Sequence, residues 1–282
     1  NGDGLDDAIV GAYLNPDPVA GAGTVYVSYG PLESDVHLPS SADVVLPGAE
    51  ATAYTGRHIT AGGDVDGDGL GDFLVAAPGA TGAAPTSGVV YIIRGPGDIG
   101  DMGAADGRLL GESPASALGI GAAMAFGDLD GDGLDDVAAG AYYEGGSVSY
   151  GGAAYVVRGP AAGDHDLAAA DLAVHGTETN QYVGASVAIG DVDRDGVADF
   201  VVGASGTDTS TGCAYVYSAP AWGGHRPSDA DARFVGEDLI AFAGAFTTFG
   251  DVTGDGRADL LIGATGEPTG GFGAGAVYVV TP

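Results

Sequence analysis

The sequence predicts an all-β fold of repeated four-stranded antiparallel units, and three observations predict it. An acidic, glycine-punctuated loop running into an apolar segment occurs five times: NGDGLDDAIVGA from Asn1, DVDGDGLGDFLVAAP from Asp64, DLDGDGLDDVAAGA from Asp128, DVDRDGVADFVVGA from Asp191 and DVTGDGRADLLIGA from Asp251. The four complete copies are spaced by 64, 63 and 60 residues, a period that marks a repeat architecture. A second phrase recurs in step with the first, GTVYVS, GVVYII, GAAYVV, GCAYVY and GAVYVV, with Tyr26, Tyr91, Tyr155, Tyr215 and Tyr278 in register.

Each unit opens on a bulky residue and a glycine, at Tyr54-Thr-Gly56, Leu118-Gly-Ile-Gly121, Tyr182-Val-Gly184 and Phe242-Ala-Gly244, where the first strand is expected. The acidic loop follows. The segments after it (DFLVAA, DVAAGA, DFVVGA, DLLIGA) are short apolar runs that read as a buried second strand. A Gly/Ser/Pro-rich connection leads to the tyrosine-bearing third strand, whose β-branched and aromatic content between glycines is a strand signature. A more variable fourth strand is expected to end near Gly48, Gly111, Gly176 and Gly236. Four strands in about 60 residues make one blade of a β-propeller. The units run 1–53, 54–117, 118–181, 182–241 and 242–282, the first and last incomplete, giving 18 expected strands in a single domain.

The loops carry the chemistry. Carboxylates stand at loop positions 1, 3, 5 and 9 with glycine at 6: Asp64, Asp66, Asp68 and Asp72; Asp128, Asp130, Asp132 and Asp136; Asp191, Asp193, Asp195 and Asp199. Hard oxygens at that density suit calcium, which takes about 6–8 oxygen ligands; the backbone carbonyls of Leu70, Leu134 and Val197 at position 7 would add to the side chains. Magnesium, which retains several waters, fits less well. In the fifth loop Asp251, Asp255 and Asp259 remain, with the Arg257 carbonyl at position 7, but Thr253 replaces a carboxylate, so weaker binding is expected. The first copy starts at position 3, with Asn1, Asp3, Leu5 and Asp7, and is expected to be weak or empty. Four to five Ca²⁺ sites follow. An EF-hand is excluded, since its position-12 glutamate is replaced by Val75, Ala139, Val202 and Ile262 and a strand follows where a helix should.

Taken together, the residue-glycine opening, acidic loop, apolar strand and Gly-x-Val-Tyr-Val strand resemble the FG-GAP repeats of the integrin α-subunit β-propeller and its extracellular and bacterial relatives. The resemblance covers essentially the whole chain and implies calcium in the loop joining the first and second strands of each blade. The family's Ala-Pro after the second strand survives at Ala77-Pro78 alone. Family propellers commonly have seven blades, so 18 strands imply a piece of a longer propeller, a smaller ring, or closure by a partner chain or exchanged strands. An open fan would expose edge strands.

Composition narrows the partners. The net charge is −31, with eight arginines and no lysine, and about half of the 39 acidic residues lie in the five loops. Nucleic acid and anionic membranes are excluded as partners, because both need basic stripes. No apolar stretch is long enough to span a membrane. Cys213 reads as a small buried hydrophobe. Calcium loops favour an extracellular, secreted or cell-surface setting, and the lack of an Asn-x-Ser/Thr sequon favours a bacterial source. His37, His58, His165, His175 and His225 fall at no zinc spacing, and no nucleophile elbow is present, so the chain is read as no enzyme. Adhesion or recognition of a protein or carbohydrate ligand is expected. It would use the connections between second and third strands, opposite the calcium loops, above all Tyr142, Tyr143, Glu144 and Tyr150. Trp222 reads as a packing anchor. The alternatives are a propeller of a secreted polysaccharide- or lipid-acting enzyme and a structural envelope repeat.

Overall fold

Apolar second strands bounded by an acidic loop on one side and glycine on the other need cover on both faces, and they obtain it from neighbouring sheets. The computed structural model describes all residues except 33–36, 98, 117, 120–122, 147, 219–221, 272 and 282; Ile120 and Gly121 of the expected third opening therefore lie outside the described residues. Strands are numbered in chain order. The first sheet holds β1 (Ala8–Ala12), β2 (Thr24–Ser28) and β3 (Val44–Pro47); the second has β4 (Ile59–Gly63), β5 (Asp72–Ala77), β6 (Val89–Ile93) and β7 (Gly107–Leu110). The third is built from β8 (Met124–Gly127), β9 (Asp136–Ala141) and β10 (Ala153–Val157); after β11 (Gly163–Asp166) it is completed by β12 (Leu172–His175). The fourth comprises β13 (Val183–Gly190), β14 (Asp199–Ala204) and β15 (Cys213–Tyr217); after β16 (Gly223–His225) it ends with β17 (Ala232–Val235). The fifth is β18 (Ala243–Gly250), β19 (Asp259–Ala264) and β20 (Ala276–Val280). All-β architecture, with one short turn at Thr207–Ser210 that has positive φ at Asp208 and Thr209 and three short 3-10 segments among the described residues, matches the expectation.

Two strands were not expected. β11 pairs in parallel with β7 of the preceding sheet, and β16 with β12 of the preceding sheet, so the described residues form 20 strands rather than 18 and the sheets are not purely antiparallel. In each case the connection from third to fourth strand reaches back and covers an outer edge whose N–H and C=O groups would otherwise be unpaired. Arg108 fixes the first of these straps with a two-pronged bond to Asp164, both contacts at 2.7 Å. Neither GDHD nor GGH carries a strand pattern, which is why sequence reasoning passed over them. A smaller correction concerns Leu118. Gly119 N–H donates to the Gly140 carbonyl as Gly56 N–H does to that of Ala76, so Leu118 stands where Thr55 does and not where Tyr54 does.

The core lies between sheets. Phe73, Val75 and Ala77 of β5 pack with Val25, Val27 and Leu46 of the first sheet, while Leu74 and Ala76, on the other face, pack with Met124, Val137 and Tyr155 of the third. Phe200 and Val202 meet the third sheet and Val201 the fifth in the same alternation. Complete burial of one such Leu or Phe contributes about 1.5–3 kcal/mol. The two end sheets break the pattern. Val277 and Val279 of β20 are 63% and 47% exposed and Val10 of β1 45%, whereas their repeat counterparts Val90, Ile92 and Val75 are fully buried.

Candidate functional site

Because hairpin connections alternate ends, the five acidic loops gather at one end of the sheets and the second-to-third-strand connections at the other. Inside each loop the position-1 aspartate organises the backbone. Asp64 accepts from the N–H groups of Gly67, Asp68 and Gly69 at 2.8–3.1 Å, and Asp128 from Gly131, Asp132 and Gly133 at 2.7–3.1 Å. Asp251 does likewise, and Asp191 accepts from Asp195 and Gly196. Asp68, Asp132, Asp195 and Asp255 at position 5 each take the N–H of position 7. Positive φ at Gly69, Gly133 and Gly196 (82°, 90° and 90°) is what position 6 requires of its glycine.

Position 9 does more than the sequence disclosed. Asp72, Asp136, Asp199 and Asp259 are at most 2% exposed, and each accepts the N–H of loop position 2 through Oδ2: Val65, Leu129, Val192 and Val252, at 2.8–3.0 Å. The other oxygen of Asp72 and Asp136 takes the N–H of Gly95 and Gly159, just past the third strand, so one carboxylate locks loop and sheet together. Asp7 holds Gly30 in the same manner. A further recurrent lock went unread: Asp43, Asp106, Asp171 and Asp231, ahead of each fourth strand, accept the N–H of Tyr29, Arg94, Arg158 and Ser218. Their fixed distance from the fourth-strand glycine was the signal.

Three carboxylates converge in each of the three loops with a full acidic set. Asp64, Asp66 and Asp72, then Asp128, Asp130 and Asp132, and then Asp191, Asp193 and Asp199 each bring one oxygen to within 4.8 Å of the others. Among the described residues no such group forms in the first or fifth loop, where Asn1 and Thr253 stand in for carboxylates. In the first loop the α-amino group of Asn1 donates to Asp7 at 2.8 Å. The donor set of these three groups is all hard oxygen, so the residues fit a hard divalent cation. The second and third loops also touch: Asp135 accepts the Asp64 N–H at 2.9 Å and returns its own N–H to the Asp64 carbonyl at 3.0 Å. Arg194 Nη2 of the fourth loop lies 3.8 Å from Asp255 Oδ2 of the fifth.

Burial pushes the Asp136 carboxyl up to about 6, opposed by the bonds from Gly159 and Leu129 and aided by the charges of Asp130 and Asp132. Asp72 and Asp199 are raised for the same first reason. A folded-state value above the ordinary ~3.9 of an aspartate means that the neutral acid stabilises the fold. That contribution is complete below about pH 4 and is lost as pH rises through about 6. Melts in EDTA are therefore expected to show a midpoint that falls between those limits, while calcium, which binds the ionised form, should flatten or invert the slope. A midpoint that rises across this window in EDTA would contradict the assignment.

At the opposite end four tyrosines meet. Tyr142, Tyr143 and Tyr150 of the third sheet's connection and Tyr182, which opens the fourth, have ring centroids 4.0–6.4 Å apart. With Ala185, Ala245, Phe246 and Thr265 several of them border an open cavity of about 350 Å³. Tyr143 and Tyr150 are 41% and 50% exposed. Glu144 does not join them: it is buried and accepts the N–H groups of Ser113 and Gly146, a role inside the loop and not on the surface. Trp222 is half-buried against the core between the third and fourth sheets, with the Arg158 guanidinium 5.0 Å from its ring.

Successive sheets that share interfacial cores, with an acidic loop leading into the second strand of every unit, define an acidic-loop type of β-repeat protein. The chain belongs to the FG-GAP repeat family: the repeat matches residues 55–93, 120–157, 183–217 and 243–280, more than half of the chain, and implies a propeller. It is 36% identical over 156 residues to integrin alpha-PS2 of Drosophila melanogaster and 33% identical over 150 residues to integrin alpha-5 of Xenopus laevis. Each alignment covers 50% of this chain but only 11% and 14% of those proteins. It is also 32% identical over 221 residues, 73% of this chain, to phosphatidylinositol-glycan-specific phospholipase D of Rattus norvegicus, of which it covers 26%. No helix among the described residues is long and apolar enough to cross a membrane.

Proposed function

We propose that the chain is an extracellular ligand-recognition module of the integrin α type, with calcium held in the loops that join first and second strands of four-stranded blades. The observation that carries it is the tyrosine cluster: exposed Tyr143 and Tyr150 with half-buried Tyr142 and Tyr182, beside the Phe246 of a third sheet, at the end of the scaffold remote from the acidic loops. Tyrosine supplies contact area at low entropic cost, and a protein or carbohydrate ligand suits such a surface. Calcium would be held by Asp64, Asp66, Asp68 and Asp72 and by their counterparts in the third and fourth loops, more weakly by Asp251, Asp255 and Asp259. Its part is structural: a cation bound only to the folded chain stabilises it by mass action. Catalysis is no part of this reading.

Glycan and protein arrays probed in calcium test it. The wild-type chain should give discrete signals that Tyr143→Ala/Tyr150→Ala loses by tenfold or more at an unchanged melting midpoint. Blank arrays, or signals indifferent to the double substitution, would defeat the proposal. The alignment with the phospholipase D favours a second reading, a propeller attached to a lipid-acting enzyme. Hydrolysis of a glycosylphosphatidylinositol substrate by the chain would support it.

A further inference from the structure

We propose that Arg94 and Arg158 are built-in counter-cations of the second and third acidic loops and set how tightly each loop holds its divalent ion. The inference rests on the calcium reading of those loops. Both arginines occupy one repeat position, directly after the third strand and ahead of Gly-Pro. Each has its backbone N–H held by the aspartate that precedes the fourth strand, Asp106 or Asp171. That shared anchor brings both guanidinium groups to the neighbouring loop. Arg94 Nη1 lies 3.3 Å from Asp66 Oδ2, and Arg158 Nη1 lies 3.8 Å from Asp130 Oδ2. Asp66 and Asp130 are the position-3 carboxylates, and each belongs to its loop's convergent group.

Neither arginine is a loose surface charge. Arg158 is pinned by the Asp171 carboxylate at 3.1 Å and by the Trp222 ring at 5.0 Å, and Arg94 has its Nε buried without a hydrogen-bond partner. The fourth loop supplies the internal comparison. Its equivalent residue is Ser218, whose N–H is held by Asp231 in the same way but whose side chain carries no charge.

A positive charge fixed beside a ligand carboxylate acts on both states of the loop. In the metal-free state it relieves repulsion among the carboxylates; in the filled state it repels the ion. Both effects lower affinity, by roughly 3–10-fold for a partly exposed charge several ångströms from the ion, and both weaken with salt. Within the second and third loops the charge is thus expected to raise the calcium concentration needed for filling; the fourth loop has cations of its own, Arg194 and Arg257, beside Asp191 and Asp195, so its comparison is made by substitution.

Calcium titration calorimetry on the full chain tests this, with steps assigned by their loss in Asp68→Ala, Asp132→Ala and Asp195→Ala. Arg94→Gln and Arg158→Gln should each tighten their own loop by about 3–10-fold and lower the melting midpoint in EDTA. Ser218→Arg, which adds the charge on an unchanged backbone anchor, should weaken the fourth loop by a similar factor. Affinities unmoved by all three substitutions, or loosened by the two glutamines, would overturn the proposal while leaving the calcium reading intact. A wild-type chain that takes up no calcium would overturn both.

Discussion

Asp136→Ala is expected to lower stability by about 5–9 kcal/mol in saturating calcium and by at least about 3 kcal/mol less in EDTA at pH 7. The asymmetry follows from the two duties of the carboxylate. It accepts the N–H groups of Leu129 and Gly159 in a buried setting, and leaving two such donors unpaired costs about 1–3 kcal/mol each. On the calcium reading it is also a ligand, and a cation at hundredfold excess over its dissociation constant contributes about 2.7 kcal/mol that the variant forfeits. Without the cation the ionised carboxylate is itself a burden at neutral pH, because burial holds its pKa near 6, and alanine relieves that cost while breaking the hydrogen bonds. Urea denaturation with and without calcium reads the difference. Equal losses in the two conditions would make Asp136 a structural lock and not a ligand.

Gly184→Ala is the second large effect, at about 3–5 kcal/mol. A Cβ there would stand 2.1 Å from the Ala153 carbonyl oxygen, and the backbone φ of +79° adds strain for any L side chain. The close approach recurs between successive sheets: a Cβ on Gly140 would stand 2.2 Å from the Gly184 carbonyl oxygen, and one on Gly11 or Gly203 would stand 2.0 Å from that of Gly56 or Gly244. Each is a place where the second strand of one sheet meets the start of the next with no room for a side chain. Gly100→Ala is the control, since φ is +84° but nothing lies within 4 Å, and about 1 kcal/mol is expected. A loss for Gly184→Ala no greater than for the control would show that the sheets yield at this contact.

Much of this was legible in advance because it is local. Four carboxylates within nine residues, with a glycine at position 6, announce a loop that turns on itself. The strands after it announce themselves by apolar runs of five or six residues. What stayed hidden depends on partners far along the chain. The straps at Gly163–Asp166 and Gly223–His225 have no pattern of their own and exist because an outer edge lies open beside them. Glu144 looked like a surface residue of a tyrosine-rich connection until the Ser113 N–H came to it from the preceding loop. The locks on Arg94 and Arg158 leave one trace, an aspartate at a fixed distance before the fourth-strand glycine, but its partner lies 12 or 13 residues back across a strand pair.

By itself the sequence determined the unit, its length, the order of strand, acidic loop and strand, and the residues that could ligate a cation, since all of these are set by spacings shorter than one unit. The tertiary structure alone decided which apolar faces are covered. Val75 and Val10 occupy the same repeat position on the same kind of strand, yet one is fully buried against the preceding sheet and the other is 45% exposed. The physical reason is that every such strand has two apolar faces, and only the neighbouring sheets, contributed by residues some 60 positions away, determine whether either is removed from water.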